Sequence, residues 1–159
     1  MTNIYSERLT GLEQAIAAAE VDLYLVPMVD AFQSEYIHAS AARLPYVSGF
    51  TGSAGLGIFA AKPSEALAHT LFVDGRYTLQ VREQVDGHLF EYQSVPATSI
   101  AAWLAENAPA GARIGFDPWL HGKPWVDAAN GALRDRGAVL VPVEGNPIDA
   151  IWADQPEPS

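Results

Sequence analysis

The sequence predicts an α/β domain built on a mixed sheet flanked by helices. Short apolar runs of strand length recur along the chain and alternate with stretches whose apolar residues fall at helical spacing. The length of 159 residues and the 49% apolar content suffice for one ordinary core, so a single domain is expected.

Each element follows from its local pattern. Tyr5, Leu9, Leu12 and Ile16 sit at helical spacing ahead of an alanine-rich stretch, which predicts an amphipathic helix. LYLV (23–26), closed by Pro27, reads as a buried strand. AGLGIFAA (54–61) and HTLFV (69–73) read as two more, separated by the turn-like KPSEA. Asp74 can then cap a helix with Tyr77, Val81 and Val85 on one face and Gly87 as its stop. LFEYQSV (89–95) reads as extended, Thr98 as the cap of a helix holding Ile100 and Leu104, and ARIGF (112–116) as a strand. A last helix over 122–136 turns Trp125, Ala129 and Leu133 inward before a final strand, AVLVPV (138–143). The domain is expected to span 1–145. Residues 146–159, NPIDAIWADQPEPS, read as a linker because three prolines and acidic residues surround a lone Ile-Trp pair.

Charge and composition narrow the function. Nine basic against 19 acidic residues give a net charge of −10, which repels phosphate backbones and anionic headgroups, so neither nucleic acid nor a membrane is an expected partner. No run reaches the roughly 18 to 20 apolar residues that cross a bilayer. The start MTNIYSERL is no export signal, so a cytoplasmic setting is expected. The chain has no cysteine, and with it no disulfide and no thiolate chemistry.

YVSGFTGSAGLGIF (46–59) places Gly49, Gly52, Gly55 and Gly57 within nine positions. A phosphate-binding loop would need Gly-Lys-Ser/Thr, and a dinucleotide turn would need GxGxxG opening a helix; neither is present. Ser53 lacks the GxSxG turn of a nucleophile elbow. The glycines therefore read as permitting a tight loop against the sheet ahead of a buried strand. His38, His69, His88 and His121 are scattered, with no metal-binding pair at helical spacing, and read as surface or satisfied histidines. Asp117 and Asp127 bring no third or fourth ligand with them. Asp30, Glu35 and Asp74 fall near predicted strand ends, where α/β sheets carry their sites, with Asp74 as a helix cap and Asp30 in a turn as the structural readings.

Two blocks then carry a resemblance. SEYIHASAARLPYVSGFTGSAGLGIF (34–59) and LFVDGRYTLQV (71–81) resemble the amino-terminal domain of Xaa-Pro aminopeptidases of the creatinase and prolidase family. The sequence departs from many relatives at Phe32, where a histidine is common, and at Ala41, where an acidic residue is common. The resemblance implies a ribonuclease H-like fold and no catalytic residue or cofactor in this chain. It implies that the peptide-bond chemistry belongs to a carboxy-terminal domain holding two divalent metal ions, usually manganese, and that this chain ends where further domains begin. The implied partners are that catalytic domain, a second subunit in a homodimer, and peptides with proline second.

The resemblance also points to site residues. Arg76, in DGRY, is the expected substrate contact, its guanidinium offering paired donors to a carbonyl or carboxylate. A surface arginine paired with Asp74 or Glu35 is the structural alternative. Phe50 and Tyr36 are expected to line an apolar wall facing the substrate or a neighbouring domain, or to be core. Gly49, Gly52, Gly55, Asp74 and Gly75 are the structural loop positions, with Glu35 anchoring the loop by accepting backbone N–H bonds. A free-standing peptide- or protein-binding module, or a prolidase or creatinase relative, is the alternative function.

Overall fold

The computed structural model describes residues 4–27, 43–48, 55–63, 68–73, 84–85, 90–94, 100–117, 123–134, 137–143 and 147–152. Helix α1 (Ile4–Ala18) buries the stripe Leu9, Leu12 and Ile16 and leaves Glu7, Thr10 and Gln14 exposed. It stops in a left-handed turn at Glu20 (φ 62°), where the N–H of Val21 reaches back 3.5 Å to the carbonyl of Ile16.

Six strands form one sheet: β1 (Leu23–Pro27), β2 (Gly55–Ala60), β3 (Thr70–Val73), β4 (Glu91–Ser94), β5 (Arg113–Phe116) and β6 (Val139–Pro142). Their spatial order is β4-β3-β2-β1-β5-β6. β2 runs antiparallel to β1 and β3, while β3–β4, β1–β5 and β5–β6 are parallel, so the sheet is mixed as expected. Every strand read from the sequence is present with ends within two residues of the expected ones. Besides α1, the helices among the described residues include α2 (Arg43–Ser48), α3 (Ile100–Asn107), α4 (Lys123–Leu133) and α5 (Pro147–Ile151). Of these, α2 and α5 escaped the sequence reading, α2 because RLPYVS is six residues with a proline in its first turn, where the missing N–H costs nothing. The helix expected after Asp74 lies outside the described residues apart from Gln84 and the buried Val85, as does the side chain of Trp125.

The period of two in the strands sends alternate side chains to opposite faces. Tyr24, Val26, Phe59 and Leu71 meet Leu9, Leu12 and Ile16 of α1, Leu44 and Val47 of α2 and Ile148 of α5 on one face. Leu23, Leu25, Ile58, Phe72 and Ile114 meet Leu104 of α3 and Ala129 and Leu133 of α4 on the other. Two strand glycines make the first face possible. A Cβ on Gly57 would lie 2.5 Å from the Phe59 ring and 2.9 Å from Leu44, and one on Gly115 would lie 2.9 Å from the Tyr24 ring. Gly57, one of the four clustered glycines, thus serves close approach inside a strand. At the β6 edge, the N–H of Leu140 donates to Asn130 Oδ1 of α4 at 2.8 Å, and Pro142 has no N–H to offer.

The stretch read as a linker begins inside the fold. In α5, Pro147 and Ile148 are buried, and the helix packs on α1 and α2. The domain body therefore reaches Trp152, and residues 153–159 lie outside the described residues.

Candidate functional site at the carboxyl end of the sheet

The register defines one end of the sheet. Pro27 pairs with Leu56, Gly55 with Val73, and Phe116 with Pro142, so the ends of β1, β3, β5 and β6 gather beside the start of β2. In α/β sheets this carboxyl end is where sites are built. Gly55 is placed there as the first residue of β2, not within a turn. The other expected site residues, Glu35, Tyr36, Gly49, Phe50, Gly52, Asp74, Gly75 and Arg76, lie outside the described residues, as does Asp30. By chain position they follow Pro27, precede Gly55 or follow Val73, three strand ends that the pairing sets side by side.

Beside this end lies a group of polar side chains. Arg43, the first residue of α2, donates from Nε to Asp149 Oδ1 at 2.8 Å and from Nη2 to Asp149 Oδ2 at 2.9 Å. Burial disfavours the guanidinium charge, but the two hydrogen bonds and the charge of Asp149 outweigh it and hold Arg43 more firmly protonated than usual. The Tyr24 ring is fully buried and its hydroxyl has no hydrogen-bond partner among the described residues. Burial first, and then the charge of the buried Asp117 just past β5, push that phenol far above its ordinary range, so it stays neutral. Asp127, weighed with Asp117 as a carboxylate pair, is exposed on α4. Ser48 at the end of α2 is buried and donates to the carbonyl of Leu44 at 2.6 Å.

Next to this group, an aromatic column ties three helices together. The Arg8 guanidinium lies 4.0 Å over the Tyr46 ring and donates to the Tyr46 carbonyl at 2.7 Å. Tyr46 stacks on Trp152 at 4.5 Å between centroids, and its hydroxyl donates to the Ile151 carbonyl at 3.4 Å.

At the opposite end of the sheet, His69 is buried and satisfied, as the sequence reading held. The N–H of Ala60 donates to its Nδ1 at 3.1 Å, which fixes the proton on Nε2, and Nε2 donates to Glu13 Oε2 at 2.9 Å. Burial lowers the imidazole pKa more than Glu13 raises it, so the neutral form is favoured. His38, His88 and His121 lie outside the described residues.

Among the described residues no three histidine or carboxylate groups converge, so these residues do not fit a two-metal centre. What they offer is a frame: strand ends in register, a forked ion pair and a stacked column. Sequence reasoning missed Tyr24, Arg43 and Asp149. An arginine heading the apolar run LPYV was the available signal, since a guanidinium placed there must find a partner.

Comparison with known proteins agrees with the resemblance in the two motif blocks. Residues 8–151 match the family model described as the Creatinase/Prolidase N-terminal domain. Among curated proteins, the chain is 32% identical over 150 residues to Xaa-Pro aminopeptidase 2 of Homo sapiens, covering 94% of this chain and 22% of that protein. It is 38% identical over 157 residues to Xaa-Pro aminopeptidase ApepP of Drosophila melanogaster, covering 93% and 25%. Among solved structures, the X-prolyl aminopeptidase of Caenorhabditis elegans, described as a cytosolic enzyme with a di-nuclear active site, superposes with a TM-score of 0.83. That match has 27% identity over 99% of this chain and 26% of that one. The N-terminal domain of the cytoplasmic peptidase PepQ from Mycobacterium tuberculosis gives a TM-score of 0.69 at 26% identity, covering 91% of this chain and 98% of that one. The chain thus spans about a quarter of the length of the aminopeptidases it matches. With motifs, mixed sheet and superposition in agreement over nearly every residue, the chain belongs to the creatinase/prolidase N-terminal domain family.

Proposed function

We propose that this chain is the non-catalytic amino-terminal domain of a cytoplasmic, metal-dependent Xaa-Pro aminopeptidase. It shapes the substrate pocket and contributes to subunit assembly as a homodimer. The observation that carries this reading is the asymmetry of coverage: aminopeptidases match along 93–94% of this chain while 22–25% of their own length is used. The bond-breaking machinery then belongs to the remaining three quarters. Two divalent ions, manganese by resemblance, would act there, polarising the scissile carbonyl and supplying a hydroxide at neutral pH.

In this reading Arg76 contacts the peptide, Phe50 and Tyr36 form an apolar wall, and Glu35 with Gly49, Gly52, Asp74 and Gly75 holds the loop in place, beside Gly55 at the start of β2. What supports the grouping is the register, which sets Pro27, Gly55 and Val73, the strand ends nearest those residues, at one end of the sheet. A fork of donors suits a peptide carbonyl or carboxylate.

The test uses the intact protein that carries this domain. It should remove the first residue from peptides with proline second, and lose that activity on chelation. Arg76→Ala should raise KM or lower kcat with the fold unchanged; unaltered kinetics would remove Arg76 from the site. Cleavage by this chain alone, or stoichiometric binding of a transition metal to it, would overturn the division of labour.

A further inference from the structure

We infer that Arg43 and Asp149 are positioning residues, whose forked ion pair sets the direction in which the chain leaves this domain towards the one that carries the chemistry; the inference rests on the function proposed above.

The pair joins residues 106 positions apart, one at the start of α2 and one inside α5, the last described helix. α5 has five residues, far fewer than the roughly 12 to 15 that hold a helix on its own in water, so its placement comes from tertiary contact. Two kinds of contact provide it. Buried Ile148 and the Tyr46–Trp152 stack hold α5 against α1 and α2 by apolar burial, which is strong but non-directional. The two parallel hydrogen bonds from Arg43 to Asp149, at 2.8 and 2.9 Å, fix the plane of the carboxylate against that of the guanidinium, which apolar contact cannot do.

The pair is only partly shielded, with side-chain exposures of 15% for Arg43 and 36% for Asp149, so its contribution to stability is modest. Its contribution to orientation is not limited in that way. α2 ends at Ser48, next in sequence to Gly49, and Tyr46 within it touches Ile151. The same six residues therefore adjoin the expected substrate loop in sequence and the departing chain in space. A misplacement of about 1 Å between groups on the two sides of a site can cost on the order of a hundredfold in rate, even from a distant substitution.

The experiment compares Arg43→Lys and Arg43→Met in the intact protein. Lysine keeps the charge and loses the fork; methionine loses both. Both variants are expected to lower kcat/KM for a proline-second peptide by about tenfold or more, with melting temperatures within a few degrees of the parent. A lysine variant with parental kinetics would overturn the inference, as would loss of melting temperature alone. Hydrogen exchange gives a readout free of catalysis: the Trp152 amide, bonded to the Ile148 carbonyl at 3.0 Å, should exchange faster in both variants. Parental exchange there would also overturn it. If the parent cleaves no proline-second peptide while exchange rises in both variants, the proposed function falls and the role of the pair in holding α5 stands.

Discussion

The two faces of the sheet are built from the same strands and differ in kind. On the face covered by α3 and α4, the buried cluster is aliphatic and aromatic throughout, closed by Trp103 set edge-on to Phe72 at 5.2 Å. The buried Thr70 hydroxyl there bonds locally, to the Ala68 carbonyl two residues away. On the face covered by α1, α2 and α5, side chains far apart in sequence pair within or beside the apolar core, His69 with Glu13 and Arg43 with Asp149, and His69 also accepts from the nearby Ala60 N–H. The lesson is a division of labour. Apolar burial is non-directional and makes the domain compact, whereas hydrogen bonds between distant elements fix their orientation. The polar face is also the one that holds α5.

Four substitutions test this contrast, beginning with the largest effect. Leu104→Ala on the aliphatic face should cost about 2 to 5 kcal/mol in urea unfolding, since it removes a fully buried side chain. That cost should be the same at pH 5.5 and pH 7.5, because none of the described buried residues that form this cluster with Leu104 carries a titratable group. A pH-dependent cost would break the contrast.

Gly57→Ala on the polar face should cost about 1 to 3 kcal/mol, read as a lower melting temperature, because its Cβ would press on the Phe59 ring and Leu44. Parental stability would mean that Phe59 has room to move.

His69→Leu should cost about 1 to 2 kcal/mol at neutral pH by leaving the buried Ala60 N–H unpaired. The folded imidazole titrates below its ordinary value of 6.5. Between those two values the unfolded chain binds more protons, so the contribution of His69 is fully present above 6.5 and is lost as pH falls through the folded value. Stability curves of parent and variant should therefore converge on acidification; a constant gap would show that His69 acts by packing alone.

The smallest effect falls at the edge of the sheet. Asn130→Ala should cost about 1 kcal/mol and speed exchange of the Leu140 amide, whose hydrogen bond to Asn130 Oδ1 it removes. Unchanged exchange would mean that the β6 edge needs no cap.

Much of this was legible in the residues. LYLV, AGLGIFAA and ARIGF became strands because an apolar run punctuated by Pro or Gly has few other stable forms, and Leu9, Leu12 and Ile16 became the buried stripe of α1 because their spacing leaves no other face to bury. The candidate site was less legible. Arg43 was passed over because nothing within four residues pairs with it, and Asp149 sat in a stretch whose prolines and charges read as a linker. A five-residue helix offers too little periodicity to stand out against such a composition.

By itself, the sequence determined the fold class, the places of the strands and the family, since periods of 2.0 and 3.6 and the two motif blocks are local properties of the chain. Only the tertiary structure decided the strand order, the partner of His69 on α1 and the joining of Arg43 to Asp149 across 106 residues. Pairings of that kind leave no periodic trace: they depend on how elements pack in space, and only packing decides which buried donor meets which acceptor.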